Sequence, residues 1–271
     1  MRPLRVALSG SGFRLGAHLG ALQAIADAGY DVVQLAGTSG GSIVAALFAC
    51  GMSLADLRQL CLTMDWSPMM GLSPVTLVTK QRFCNGNALL QFLTNATHGK
   101  TFAQLDIDLR IIASDLLTEK EFVFSKDATP DAPVALAARA SASIPIVYQE
   151  VAYAKALLVD GGCCDNVPAD NLTVDAVPRV GIYLESDDAP LPPGSYGLAA
   201  IAPRIIDLML ASNEATHMTL DSQNGASIVR VPTGYASSFD RNMPIATRTR
   251  LFNDGHDYTA AALKTLPSGQ S

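Results

Sequence analysis

The apolar pattern of the chain opens with Arg5-Val6-Ala7-Leu8, a short run that predicts a buried strand. A glycine loop follows, Gly10-Ser11-Gly12-Phe13-Arg14-Leu15-Gly16. Leu19, Leu22, Ile25 and Ala26 then mark one face of a helix that stops at Gly29. A second apolar run, Val32-Val33-Gln34-Leu35-Ala36, leads into Gly37-Thr38-Ser39-Gly40-Gly41-Ser42, and a small-residue helical run from Ile43 to Ala49 leads out. Two strand–loop–helix units in succession predict parallel strands in a sheet covered by helices.

Further along, Ser53 reads as the N-cap of a helix over Leu54–Leu62, and Asn87–Thr94 as another helix. Leu109–Ser114 and Glu121–Phe124 read as strands of a hairpin closed by Leu116–Lys120. Pro133 suits the first turn of a helix ending near Ala140, and the strand Ala156–Val159 delivers Asp160 into a glycine turn. Arg179–Leu184 is a further strand. Asp187–Gly197, rich in Pro, Gly and acid, is the best boundary candidate. The helix about Leu198–His217, the strand Ser227–Val231 and the helix Ala246–Leu263 read as additions to the same sheet, so one domain is expected over residues 1–271, with its core at about 4–263. The stretch from Trp66 to Val75 is apolar, broken by prolines, and holds the one tryptophan; it reads either as irregular core packing or as an apolar lid over a lipid site.

Composition narrows the function classes. Of 271 residues 49% are hydrophobic and 16% charged, which is a chain that buries a full core. A net charge of −6 with no basic block argues against nucleic acid, but leaves contact with a membrane surface open. Cys50, Cys61, Cys84, Cys163 and Cys164 are odd in number and lack metal-type spacing, so free thiols are expected, as in a reducing compartment. No signal region and no apolar stretch long enough to span a bilayer are visible, so a soluble, cytoplasmic protein is expected, with peripheral membrane contact open and its oligomeric state unassigned.

The candidate chemistry centres on Gly37-Thr38-Ser39-Gly40-Gly41, the spacing of a nucleophile elbow. A serine on so sharp a turn needs neighbours without bulk, which Gly37 and Gly41 supply, and the helix behind it offers free N–H groups to a developing negative charge. Because the first two strands run parallel, the Gly10–Ser11–Gly12 loop reaches the same sheet edge, where its N–H groups can form an oxyanion hole, with Arg14 anchoring the loop or attracting an anionic head group. The loop also resembles a dinucleotide fingerprint, but the second strand lacks the terminal acid that reading expects. For the base, the order Ser39, Asp160, His256 matches a Ser-Asp-His triad, although that fold places its elbow after several strands. Asp160 is the better partner, since the Asp160-Gly161-Gly162 turn lets its carboxylate approach another turn and a buried carboxylate can serve a serine directly. The plain alternative for Asp160-Gly161 is an ordinary turn.

Four blocks in order resemble the patatin-like phospholipase family: Gly10-Ser11-Gly12-Phe13-Arg14 with His18 and Gly20, Gly37-Thr38-Ser39-Gly40-Gly41, Arg139-Ala140-Ser141-Ala142-Ser143-Ile144-Pro145, and Asp160-Gly161-Gly162 with Asn166 and Pro168. Ser11 and Leu15 stand where that family carries glycine. The resemblance implies a three-layer α/β sandwich with a central, mostly parallel sheet flanked by helices. It further implies a Ser39–Asp160 dyad without histidine, oxyanion donors at Gly10, Ser11 and Gly12, supporting roles for Arg14, Gly37, Gly41, Gly161 and Gly162, and acyl-ester hydrolysis of phospholipids or related lipids with no metal or cofactor. The alternatives are a Ser-Asp-His esterase and a catalytically silent lipid-binding protein on the same fold.

Overall fold

The two opening units fold as their pattern predicts. Strand β1 (Arg2–Leu8) leads through the glycine loop into helix α1 (Leu15–Asp27), and β2 (Tyr30–Thr38) leads through the serine turn into α2 (Gly40–Ala49). Then come α3 (Leu54–Thr63), α4 (Asn87–Ala96), the hairpin β3 (Asp108–Asp115) and β4 (Lys120–Phe124), α5 (Val134–Ser141), the hairpin β5 (Val151–Tyr153) and β6 (Ala156–Asp160), β7 (Arg179–Glu185), β8 (Ala226–Pro232) and α6 (Ile245–Leu263). This computed structural model describes residues 1–71, 84–186, 193–194 and 224–266. The expected boundary at 187–197, the helix at 198–217 and the second half of the 66–75 stretch lie outside the described residues. Among the described residues no helix is long and apolar enough to cross a membrane.

The strands form one mixed sheet in the order β5-β6-β3-β2-β1-β7-β8, with β4 also on β3. Strands β1, β2, β3, β7 and β8 run parallel; β4 and β6 run against β3, and β5 against β6. Alternation sorts the side chains: Leu4, Val6 and Leu8 of β1 join Leu35 of β2 and Ile182 and Leu184 of β7 in the main core beneath the helices, whereas Ala7 and Ala36 point to the other face, against Ala169, Leu172 and Ala226. The cap at Ser53 is as expected, its hydroxyl accepting the Asp56 N–H at 3.1 Å.

Helices α1 and α6 lie so close that side chains are excluded between them. A Cβ on Gly20 would sit 1.9 Å from the Phe252 carbonyl oxygen, and one on Gly255 would sit 1.9 Å from that of Ala17. Gly20→Ala is therefore expected to destabilise the fold by about 1–3 kcal/mol, through overpacking against backbone that cannot yield. Gly71→Ala is the control, because among the described residues a Cβ there would meet only Pro68 O at 3.5 Å; denaturant midpoints of the two variants test the contrast.

Candidate active site

Ser39 occupies φ 50°, ψ −123°, a conformation an L-residue adopts only when its surroundings dictate it. They do. Its N–H donates to Ser141 Oγ at 2.8 Å, and its carbonyl accepts from Ser42 Oγ at 2.6 Å and Ser42 N–H at 3.0 Å. Bulk is excluded all round the turn: a Cβ on Gly37 would meet Ser42 Cα at 2.8 Å, and one on Gly41 the Ser9 carbonyl oxygen at 2.4 Å. Gly40 packs likewise on the glycine loop, where a Cβ would meet Gly12 O at 2.5 Å.

Asp160 reaches Ser39 because of how two strands share one side of β3. Strand β2 pairs with β3 as far as Thr38 opposite Ile112; β6 pairs with the next residues, Asp160 lying opposite Ala113. Since β4 occupies β3 along Ile111–Asp115, β6 must lie on the same side as β2, descending towards β2's end. The two strand ends thus meet head-on. Ser39 Oγ–H donates to Asp160 Oδ2 at 2.6 Å, and Gly162 N–H donates to Oδ1 at 2.9 Å. The backbone of Asp160 is held too, its N–H donating to Ser143 O at 3.0 Å and its carbonyl accepting from Ser114 Oγ at 2.9 Å. Gly161 fits because a Cβ would fall 2.2 Å from Ile112 O. Burial lifts the Asp160 carboxyl to about 6, against the hydrogen bonds from Ser39 and Gly162 that favour its charged form.

The glycine loop faces the elbow, but its three expected donors are not equivalent. Gly10 N–H already donates to Asn166 O at 3.0 Å. Ser11 N–H and Gly12 N–H donate to no acceptor among the described residues, so these two are open to a ligand oxygen. Ser11 keeps a φ that serine accepts, and the left-handed position falls on Gly12 at φ 54°. Arg14 is buried and anchors the loop, donating from Nε to Ser11 O at 3.1 Å and from a terminal nitrogen to Thr233 Oγ1 at 2.9 Å. Phe13 N–H donates to Ser238 O at 2.9 Å, a brace nothing in the local sequence signals. The role of Ser141 was equally hidden: its block is recognisable, but only the structure carries its hydroxyl to the Ser39 N–H. Arg139 of the same block secures Ser143, donating to its hydroxyl and to the carbonyls of Gly86, Asn85 and Gln149.

Ser39 and Gly40 form the floor of a pocket of about 470 Å³ counting its open mouth, walled by Phe13, Leu15, Ile43, Trp66, Met69 and Ile144 among others. Leu15, in place of glycine, starts α1 and supplies apolar wall. Trp66 and Met69 are buried there, so the first part of the 66–75 stretch is a wall of this pocket. The histidines stand elsewhere. His256 lies between Asp257 and Asp27, at 2.9 and 3.2 Å. Asp27 ends α1, about 18 Å of helix away from Leu15 at the pocket, which removes the geometric basis for the Ser-Asp-His reading. His18 is buried beneath the loop with Nε2 2.7 Å from Ser9 O, and burial lowers it to about 3, so it is neutral. His98 lies in the turn after α4, and His217 is outside the described residues.

A strained serine at a strand-to-helix elbow, in a mixed sheet flanked by helices, defines an α/β fold with its candidate site at the end of β2. Residues 6–173 match the family model described as patatin-like phospholipase. The chain belongs to that family and is a lipid acyl hydrolase. It is 29% identical over 268 residues to "Uncharacterized protein R571" of Acanthamoeba polyphaga mimivirus, covering 92% of this chain and 90% of that protein. It is 28% identical over 185 residues to "Uncharacterized NTE family protein Rv1063c" of Mycobacterium tuberculosis, covering 68% of this chain and 49% of that protein, so it spans about half of the mycobacterial relative. The crystal structure of VipD from Legionella pneumophila shares the fold, with a TM-score of 0.64 at 16% identity over 98% of this chain and 67% of that one.

The raised Asp160 carboxyl has a thermodynamic consequence. A carboxyl lifted from 3.8 to about 6 favours the folded state while protonated; that contribution is complete below about pH 3.8 and is lost as pH rises through about 6. Asp160→Asn removes the titration, so its stability relative to wild type is expected to rise by about 2 kcal/mol between about pH 4 and about pH 8. Paired denaturant titrations across that range measure it; a difference that stays flat with pH contradicts the burial argument.

Proposed function

We propose that this chain hydrolyses fatty-acyl esters of phospholipids or related lipids through a Ser39–Asp160 dyad and an acyl-enzyme. The observation that carries this reading is the 2.6 Å hydrogen bond to a buried, proton-avid carboxylate from Ser39 Oγ, whose residue lines an apolar pocket. Asp160 takes the Ser39 proton as Oγ attacks the ester carbonyl carbon, and the carbonyl electrons move to oxygen. Ser11 N–H and Gly12 N–H, open to a ligand, hold that oxyanion, while Gly10, engaged with Asn166, shapes the loop. Collapse breaks the ester C–O bond, and the leaving alcohol or lysolipid takes the proton from Asp160. Water then attacks the acyl-enzyme with Asp160 again as base, releasing fatty acid and returning the proton to Ser39. Arg14, Gly37, Gly41, Gly161 and Gly162 hold the loop and turns in register. The apolar wall suits an acyl chain. All described strands share one sheet, which supports reading residues 1–271 as a single domain.

Labelling with a long-chain fluorophosphonate, located by mass spectrometry, tests this directly. Wild type is expected to carry the label on Ser39, and Asp160→Asn to react at least a hundredfold more slowly, the scale of general-base catalysis. Absence of label from wild type would favour the catalytically silent alternative. Because Asp160 must be ionised to act, kcat/KM on a soluble ester is expected to fall about tenfold per pH unit below about pH 6 and to level off above it. A profile that keeps rising through the range of an ordinary histidine would point to a different base.

A further inference from the structure

The sheet continues beyond the nucleophile. Strand β3 runs three residues past Ile112, the partner of Thr38, which carries Asp115 about 10 Å beyond the elbow level. Its hairpin with β4 then turns through Leu116–Glu119, and beside it the β5–β6 hairpin turns through Ala154–Lys155. The two tips are tied together: Leu116 N–H donates to Leu157 O at 2.9 Å, and the Asp115 carboxylate accepts from the N–H groups of Leu117 and Leu157 and from the Thr118 hydroxyl, at 3.1, 3.0 and 2.7 Å. Behind them Phe122, Phe124 and Tyr153 pack ring against ring, 4.8 to 6.0 Å between centroids. These are braced turns, yet the first of them carries two exposed leucines. Leu116 is 50% and Leu117 65% exposed, at positions where turns ordinarily carry Gly, Asn, Asp or Ser. Lys120 and Lys155 are exposed beside them, with two exposed acids, Glu119 and Glu121, of which Glu121 accepts from the Asn171 amide. A further exposed apolar side chain, Ile146 at 46%, lies in the chain between the pocket-lining residues Ile144 and Tyr148, on the segment that enters β5.

We propose that these two hairpin tips anchor the chain on a phospholipid bilayer, Leu116 and Leu117 entering the acyl boundary and Lys120 and Lys155 meeting the phosphates. The inference rests on the lipid-hydrolase reading of the Ser39 site and extends it to how the substrate is presented. Two leucines suit shallow insertion. They are far too little surface for a second protein copy, which needs roughly 800 Å² a side.

The test uses the full chain, vesicles of phosphatidylcholine containing phosphatidylglycerol, and a short-chain ester that stays monomeric in solution. For the double variant Leu116→Asp/Leu117→Asp, vesicle co-sedimentation and turnover of vesicle lipid are expected to fall at least about tenfold. Turnover of the soluble ester is expected to stay within about twofold of wild type, as for surface substitutions away from the chemistry. Undiminished vesicle binding overturns the anchor, as does a wild-type dimer that the double variant dissociates with vesicle binding intact. Should the double variant fold poorly, Leu117→Trp keeps the question open to measurement: its added fluorescence is expected to shift to the blue on vesicles and to be quenched by brominated lipid, and an unshifted, unquenched signal overturns the proposal. Ser39→Ala separates the two readings, because retained soluble-ester turnover in that variant refutes the Ser39 assignment whatever the vesicles show, whereas loss of the anchor leaves that assignment standing.

Discussion

The site depends on the pairing register of β3. One side of this strand is shared end to end by β2 coming up and β6 coming down, and their last pairings fall on adjacent residues, Ile112 with Thr38 and Ala113 with Asp160. Backbone hydrogen bonds therefore set the distance between serine and carboxylate. A slip of one residue in either ladder would turn every side chain of that strand to the opposite face, so the buried alternation of the sheet protects the site geometry as well as the core. The hydroxyls of Ser114 and Ser141, which bond the backbone of Asp160 and Ser39 respectively, then remove the remaining freedom of the two strand ends.

Crowding is the second constraint. Gly37, Gly40, Gly41 and Gly161 are each placed where a methyl group would strike neighbouring backbone or side-chain atoms, so the turns around Ser39 approach one another to atomic contact. Asp160 is buried among them and left with a raised proton affinity instead of a solvated charge. Under the proposed mechanism, the burial that suits Asp160 to act as a base also costs stability near neutral pH.

Much of this was legible in the residues. The elbow was visible because strand period, glycine spacing and helix period change within six positions, and Asp160 because it closes an apolar run and opens a glycine turn. The helices and strands followed their patterns because the apolar faces of β1, β2 and α1 are clean. What could not be read was pairing between distant segments. Nothing near Asp160 says that β6 runs against β3 on the side β2 vacates. Nothing near Gly10 says that its N–H is taken by Asn166, and nothing in the spacing of His256 says that it lies at the far end of α1. Ser141 and Ser238 were silent for the same reason: their partners are a hundred or more residues distant, and a hydroxyl or carbonyl carries no local signature of what it will bind.

The place of β1 in the sheet bears on how the chain is made. It comes first in the chain among the described strands yet sits between β2 and β7, and β7 begins only at Arg179. By the time Asp160 has emerged, every residue carrying the dyad and its loop has been translated, while one long edge of β1 still lacks its neighbour. At synthesis rates of about 5–20 residues per second, that hydrophobic edge stays open for a second or more, a window in which it can pair with another chain. The nascent protein thus has Ser39 and Asp160 in hand before it closes its sheet, while the braces of the glycine loop at Asn166, Thr233 and Ser238 are still to come.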